Sequence, residues 1–183
     1  PNNHIDFDLP FDGVLHTDCP HHYRYGHDGE SESEFTARLV ASLEALIERE
    51  GGDTIAAMIA EPVMGAGGVI VPPAGYFEAI QPVLKAHDIM LIADEVINGF
   101  GRTGEWFGAT SQGMVPDTIS VAKQMTAAYA PLGAVMVPDH MMDVLERGLP
   151  QCIDNVNDNA TEGIFPSDKK YQGVVSVGSL HSI

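Results

Sequence analysis

Ile89-Met90-Leu91-Ile92-Ala93-Asp94-Glu95 is the stretch on which the fold is decided. Five apolar residues run without a break and stop at two acids. Such a run is either a buried strand or a piece of a buried helix. Its short length and the Asp residues that bound it favour a strand buried on both faces, as in parallel sheets. Three further runs have the same character: Ile55 to Ala60, Thr118 to Ala122 and Gly133 to Val137. Between the first run and Ile89 lies Tyr76, Phe77, Ile80, Val83, Leu84, a stripe at helical spacing introduced by Pro72 and Pro73. Pro82 falls inside that stripe and is expected to kink the helix. Upstream, Ser31 and Glu34 have the spacing of a capping box. Phe35, Leu39, Leu43, Leu46 and Ile47 then predict an amphipathic helix over residues 32–50, stopped by Gly51 and Gly52. A last helix is expected near Asp139 to Arg147. Strand, helix, strand in repetition means an α/β domain with a mostly parallel sheet and flanking helices.

The ends read differently. Residues 1–29 are rich in His, Asp, Pro and Gly and carry no lasting period, so they are expected to be a surface segment. From Gly148 the pattern breaks. Asp154 to Asn159 is mostly polar, Ser167 to Lys170 reads as a loop, and Tyr171 to Val177 could form one strand. The domain reading is therefore 1–147 as one α/β unit and 148–183 as a tail of another character.

Composition narrows the class of function. The chain has 183 residues, 44% of them hydrophobic, and a formal charge of −17. So much negative charge argues against nucleic acid and anionic membrane surfaces as partners. No apolar run is long enough to span a bilayer. The polar start, Pro1 to Asp8, is unlike a signal peptide, and Pro1 in place of Met suggests a longer reading frame. Cys19 and Cys152 lie far apart and read as free thiols of a reducing, cytoplasmic setting.

The chemistry lies just beyond the strands. The first run ends on Glu61, the second on Asp94 and Glu95, the third on Lys123. Ligands of open parallel α/β sheets bind beyond the carboxyl ends of the strands. One charge at a strand end is usually only the first solvated residue. Two acids and a base delivered to one rim by successive strands make a constellation. Of the four lysines, only Lys123 directly follows a buried strand. A lysine there is expected to be partly desolvated, which favours the neutral amine that can attack an aldehyde. Asp94 could hold a proton on a ring nitrogen. If the extended backbone persists, Val96 shares its face and could pack on such a ring; it could equally be a core residue.

Other features read as structure. Gly65-Ala66-Gly67-Gly68 precedes no helix and is not a dinucleotide fingerprint, and Gly99, Gly101 and Gly104 around Arg102 make a loop. His16, Cys19, His21, His22 and His27 fit no standard zinc spacing and read as surface residues, so no metal is expected. Trp106 and Phe107 read as packing residues.

Ala60-Glu61-Pro62-Val63, Val71 to Tyr76, Ala93-Asp94-Glu95-Val96, Gly99 to Gly104, and Ala122-Lys123 with Pro131-Leu132-Gly133-Ala134 together resemble the class III aminotransferases, from Pro1 to about Arg147. The motifs stand in that family's order and at about its spacing. The resemblance implies the large domain of fold-type I, incomplete here, with pyridoxal 5'-phosphate as cofactor. It makes Lys123 the Schiff-base lysine, Asp94 the partner of the pyridine nitrogen and Val96 the residue packed on the ring. Glu61 becomes an acid near the substrate pocket. The implied enzyme is a homodimeric transferase moving an amino group from an amine or ω-amino acid to an oxo-acid. A same-fold aminomutase, decarboxylase or racemase is the alternative. So is a fragment that serves only in association. Two positions depart from the pattern: Ile97 stands where many members have glutamine, and Gln124 follows the lysine where glycine is usual. The family's phosphate loop would lie before Pro1, so the 183 residues alone are expected to be inactive or weakly active.

Overall fold

A computed structural model of the chain describes residues 13–145 and 147. The segment 1–12 and the tail from Gly148, with Cys152, Lys169, Lys170 and the strand expected over Tyr171 to Val177, lie outside the described residues. The elements follow the expected alternation. They are α1 (His22–Tyr25), α2 (Glu32–Glu50), β1 (Ala57–Ala60), α3 (Tyr76–Ala86), β2 (Met90–Asp94), α4 (Gly108–Ser111), β3 (Thr118–Val121) and β4 (Ala134–Met136). Residues 139–145 are again helical.

The helix α2 begins where its cap dictates. Ser31 Oγ accepts the Glu34 N–H, and Glu34 returns its carboxylate to the Ser31 N–H at 2.9 Å. Gly51, with φ of 88°, ends it. The inward stripe of Phe35, Leu39, Leu43 and Ile47 is buried, and it packs on Phe77, Ile80 and Leu84 of α3. The helix α3 runs through Pro82 to Ala86. The missing N–H of Pro82 faces no core partner, because both Pro82 and Glu78 are exposed.

The sheet has the order β1-β2-β3-β4, with the first three strands parallel and β4 antiparallel to β3. Alternation along β2 turns Leu91 and Ala93 into the core shared with the helices, while Met90, Ile92 and Asp94 face the other side. That other side is only partly covered among the described residues: Ile59 on β1 is 61% exposed.

The approach to α2 holds one feature the sequence reading missed. The four-residue α1 sets His22 against Phe35, with ring centroids 5.3 Å apart, and His22 Nε2 lies 2.7 Å from the Glu30 carbonyl oxygen. Of the five residues read as a surface set, His22, His21 and Cys19 are thus half-buried. Burial pushes the Cys19 thiol up, away from the reactive thiolate.

Arg38 grips Glu30 through Nε and Nη2 at 2.9 and 2.8 Å. The hydrogen bond from Arg38, joined by the His27 N–H, draws the Glu30 carboxyl down to about 2 from its ordinary 4.5. A carboxyl lowered in the folded state adds stability that is present above pH 4.5 and is lost as the pH falls toward 2. Thermal melts between these limits should therefore drop less in Arg38→Met than in the unaltered chain. High salt should shrink that difference, since the pair is solvent-accessible.

Candidate active site

Parallel pairing decides where the charged residues go. Ala60 aligns with Ala93, and Asp94 with Ser120. The Glu95 N–H then donates to the Ser120 carbonyl at 2.9 Å, continuing the ladder past the end of β2. Glu61, Asp94 and Lys123 therefore leave three neighbouring strands at the same, carboxyl-terminal edge. The antiparallel β4 returns to that edge as well, because Ala134 pairs with Val121.

Each residue is held differently. Glu61 is half-buried, and its Oε2 accepts the Gly65 N–H at 2.8 Å. This bond ties its carboxylate to a small hairpin in which Met64 and Ile70 pair. Asp94 closes a tight turn on itself: its Oδ1 accepts the Val96 N–H at 3.1 Å. The extended backbone consequently does not persist to Val96. Residues 96–103 are turns, so strand alternation does not place Val96 on the face of Asp94.

Lys123 opens a short 3-10 turn, Lys123–Thr126, with φ of 42°. A non-glycine residue in the left-handed region is uncommon, and such conformations cluster at functional sites. The side chain is exposed. The expected desolvation of Lys123 is thus not supplied by the described residues. The strand behind it is buried at Val121 and Ala122, but the backbone reverses at the lysine and turns it out to solvent.

Glu95, which follows Asp94 at the end of the second run, stands apart from the rim. It is fully buried, and its two oxygens accept the N–H groups of Gly108 and Ala109 at 2.9 and 2.6 Å. Consecutive residues of an extended strand point to opposite faces, so Asp94 and Glu95 cannot both serve one rim. Trp106 is not a packing residue within the described chain, being 76% exposed, whereas Phe107 packs on the core and on Phe100.

The family model for class-III aminotransferases matches residues 12–150. The chain belongs to the class-III aminotransferases. It is 57% identical over 145 residues to gamma aminobutyrate transaminase 3, chloroplastic, of Solanum lycopersicum, covering 79% of this chain and 28% of that protein. A probable gamma-aminobutyrate transaminase 4 of Oryza sativa subsp. japonica is 55% identical, with 79% and 30% covered. The solved omega transaminase from Pseudomonas jessenii in complex with PMP superposes with a TM-score of 0.77 at 48% identity, over 82% of this chain and 34% of that one. The chain spans less than a third of the length of these two plant relatives.

Within this class-III aminotransferase chain, Ile97 has a packing partner. A Cβ built on Gly65 would lie 2.7 Å from Ile97 Cδ1 and 2.8 Å from Cγ2. The isoleucine therefore presses on the hairpin that anchors Glu61. Beside it, buried Asn98 donates from Nδ2 to the Val63 carbonyl at 2.9 Å. Sequence reading missed Asn98, and an amide in a loop gives no periodic signal.

Gly65→Ala should destabilise the chain by about 1–3 kcal/mol through overpacking. Combining it with Ile97→Ala should recover part of that loss. Chemical denaturation of the two single variants and the double variant measures the coupling, and strict additivity would show that the contact does not constrain the hairpin.

Proposed function

We propose that this chain forms the cofactor-bearing centre of a pyridoxal 5'-phosphate-dependent aminotransferase, working as a homodimer. The reaction moves an amino group from an amine or ω-amino acid to an oxo-acid. The observation that carries this reading is the meeting of Glu61, Asp94 and Lys123 at one edge of a parallel sheet, with Lys123 held in a left-handed backbone.

The residues fit the cofactor. Asp94 lies on the strand next to that of Lys123, level with Ser120, and Val96 engages only one of its oxygens. The Lys123 amine is open to solvent and has no ion-pair partner among the described residues. Bound pyridoxal phosphate supplies a pyridinium that draws electrons from the substrate carbon. The Asp94 carboxylate would hold a proton on the ring nitrogen through a charge-assisted hydrogen bond. Lys123 would be the residue that holds the cofactor aldehyde, and its amine would move the proton at the substrate carbon. Val96, which the turn rather than strand alternation sets beside Asp94, would pack on the ring in this reading. Glu61 lines the substrate pocket, aimed by its bond to Gly65.

Residues 1–147 are part of a large domain in this reading, and 148–183 are a tail of separate character. The remaining length of the protein contributes the phosphate cradle and the cover that desolvates Lys123. Trp106 and Tyr129, 76% and 96% exposed in the loops beyond β2 and β3, support burial of this edge against further protein. Among the described residues no helix is long and apolar enough to cross a membrane. A cytoplasmic address is part of this reading, although relatives are named chloroplastic and mitochondrial. γ-Aminobutyrate, named by the plant relatives, is the first donor to assay.

Borohydride reduction in the presence of pyridoxal phosphate, followed by peptide mapping, should label Lys123. Labelling should be strong in the full-length protein and weak in the 183 residues alone. In the full-length protein, Lys123→Ala should remove the label and lower transfer by at least about 10²–10⁴-fold. Asp94→Ala should keep the label while the rate falls by about 10²–10³-fold, the scale of one preorganised electrostatic contact. Labelling confined to other lysines would contradict the assignment. A racemised or decarboxylated product without amino transfer would replace transamination by a same-fold reaction.

A further inference from the structure

Glu95 is a charge with no place in the chemistry just described. Its side chain is wholly excluded from solvent. Moving a carboxylate out of water is expensive unless donors replace the lost hydration. Here the replacements come from across a loop: Oε2 takes the Gly108 N–H at 2.9 Å and Oε1 takes the Ala109 N–H at 2.6 Å. The backbone of Glu95 is fixed on both sides too. Its N–H donates to the Ser120 carbonyl at 2.9 Å, and its carbonyl accepts the Gly99 N–H at 2.8 Å.

The far end of the grip is equally rigid. A Cβ on Gly108 would lie 2.9 Å from Asn98 Cβ and 3.1 Å from Pro62 Cβ. Gly108 is thus wedged between the loop that follows β2 and the one that follows β1. Residues 96–107 form a loop whose two ends are clasped by one buried carboxylate. The first N–H of that loop belongs to Val96, and it is the group that holds Asp94 Oδ1. The orientation of Asp94 therefore depends on a peptide that Glu95 immobilises.

We propose that Glu95 is a positioning residue: its buried grip on Gly108 and Ala109 fixes the turn that aims the Asp94 carboxylate at the cofactor ring. The inference rests on the reading of Asp94 given above. Glutamine at this position keeps one acceptor oxygen but sets an amino group against the second N–H. The clasp is halved, the Val96 peptide loosens, and Asp94 is no longer held to one direction.

The test compares Glu95→Gln with Asp94→Ala in the full-length protein loaded with pyridoxal 5'-phosphate, well below the melting temperature of each variant. Four quantities are read: the visible absorption band of the bound cofactor, the cofactor dissociation constant, and kcat and KM for the amino donor. Glu95→Gln should shift the band in the direction seen for Asp94→Ala and weaken cofactor binding. It should lower kcat per bound cofactor by about ten- to a hundredfold, the scale on which small misplacements act, with a smaller change in KM. A purely structural role would lower the melting temperature and leave band and kcat unchanged; that result overturns the proposal. If Asp94→Ala itself leaves the band and kcat unchanged, the reading of Asp94 falls and the proposal with it. Should Glu95→Gln fail to fold, Glu95→Asp keeps the carboxylate on a side chain one methylene shorter, lengthens its contacts to the Gly108 and Ala109 N–H groups, and should give the same spectral shift in weaker form. Failure of both variants to fold makes Glu95 a core residue alone and likewise overturns the proposal.

Discussion

The parallel pairing of β1, β2 and β3 is the constraint from which the rest of the site follows. Parallel neighbours all run the same way, so their carboxyl ends meet at one edge. Register then sets the level of each residue. With Ala60 opposite Ala93, and Asp94 opposite Ser120, residues far apart in sequence are delivered side by side. The register is in turn held by burial. Leu91 and Ala93 are committed to the core beneath α2 and α3, and a slip of one residue would carry both to the other face. The same slip would bring Asp94 into the core and Glu95 onto the rim. The hydrophobic packing of β2 and the chemistry at its end are therefore one decision.

Beyond the strands the chain lacks a repeating ladder, and the loops are stabilised by specific polar contacts. Glu61 bonds the hairpin at Gly65, Asn98 bonds it at Val63, and Glu95 clasps α4. The Asn98 and Glu95 bonds join the exit of β2 to segments beside β1 and β3, while the Glu61 bond stays within the loop that follows β1. Backbone groups in a buried loop must find partners, and these side chains provide them. The glycines at 65 and 108 stand where the loops approach closely, against Ile97 and between Asn98 and Pro62.

Much of this was legible before the structure. The helix over 32–50 was read to the residue, because a capping box, a four-turn stripe and a terminal glycine pair agree. The strands were found but drawn long. Ile55 and Ala56 precede β1, since the 3-10 turn Gly52–Thr54 delays the ladder. The α1 helix left no trace in the pattern, as one turn is too short for a period to show. The direction of β4 was not read, though a hint was present: residues 122–133 contain no stretch long enough for a crossover helix, and an antiparallel return needs none. At the rim, residue types located the edge correctly, while side-chain direction needed the alternation rule. Applied at Asp94 and Glu95, it separates a carboxylate free to meet a ligand from one sealed into the core.

Lys123 shows why composition and placement are separate questions. Its position after a buried strand suggests a dry amine. The backbone, however, enters the left-handed region at this residue, and two alanines, Ala127 and Ala128, repeat that conformation in the same excursion. Each such residue carries a local cost on the order of 1–3 kcal/mol, which only surrounding contacts can offset. The pairing of Val121 with Ala134 supplies part of that restraint, by holding both ends of the excursion to one edge. What these residues fix is the direction in which the lysine leaves the sheet. Its dryness is a property of whatever covers the edge. In the proposed enzyme the two tasks are divided: β3 and its turn aim the amine, and protein packed over Trp106 and Tyr129 removes the water around it.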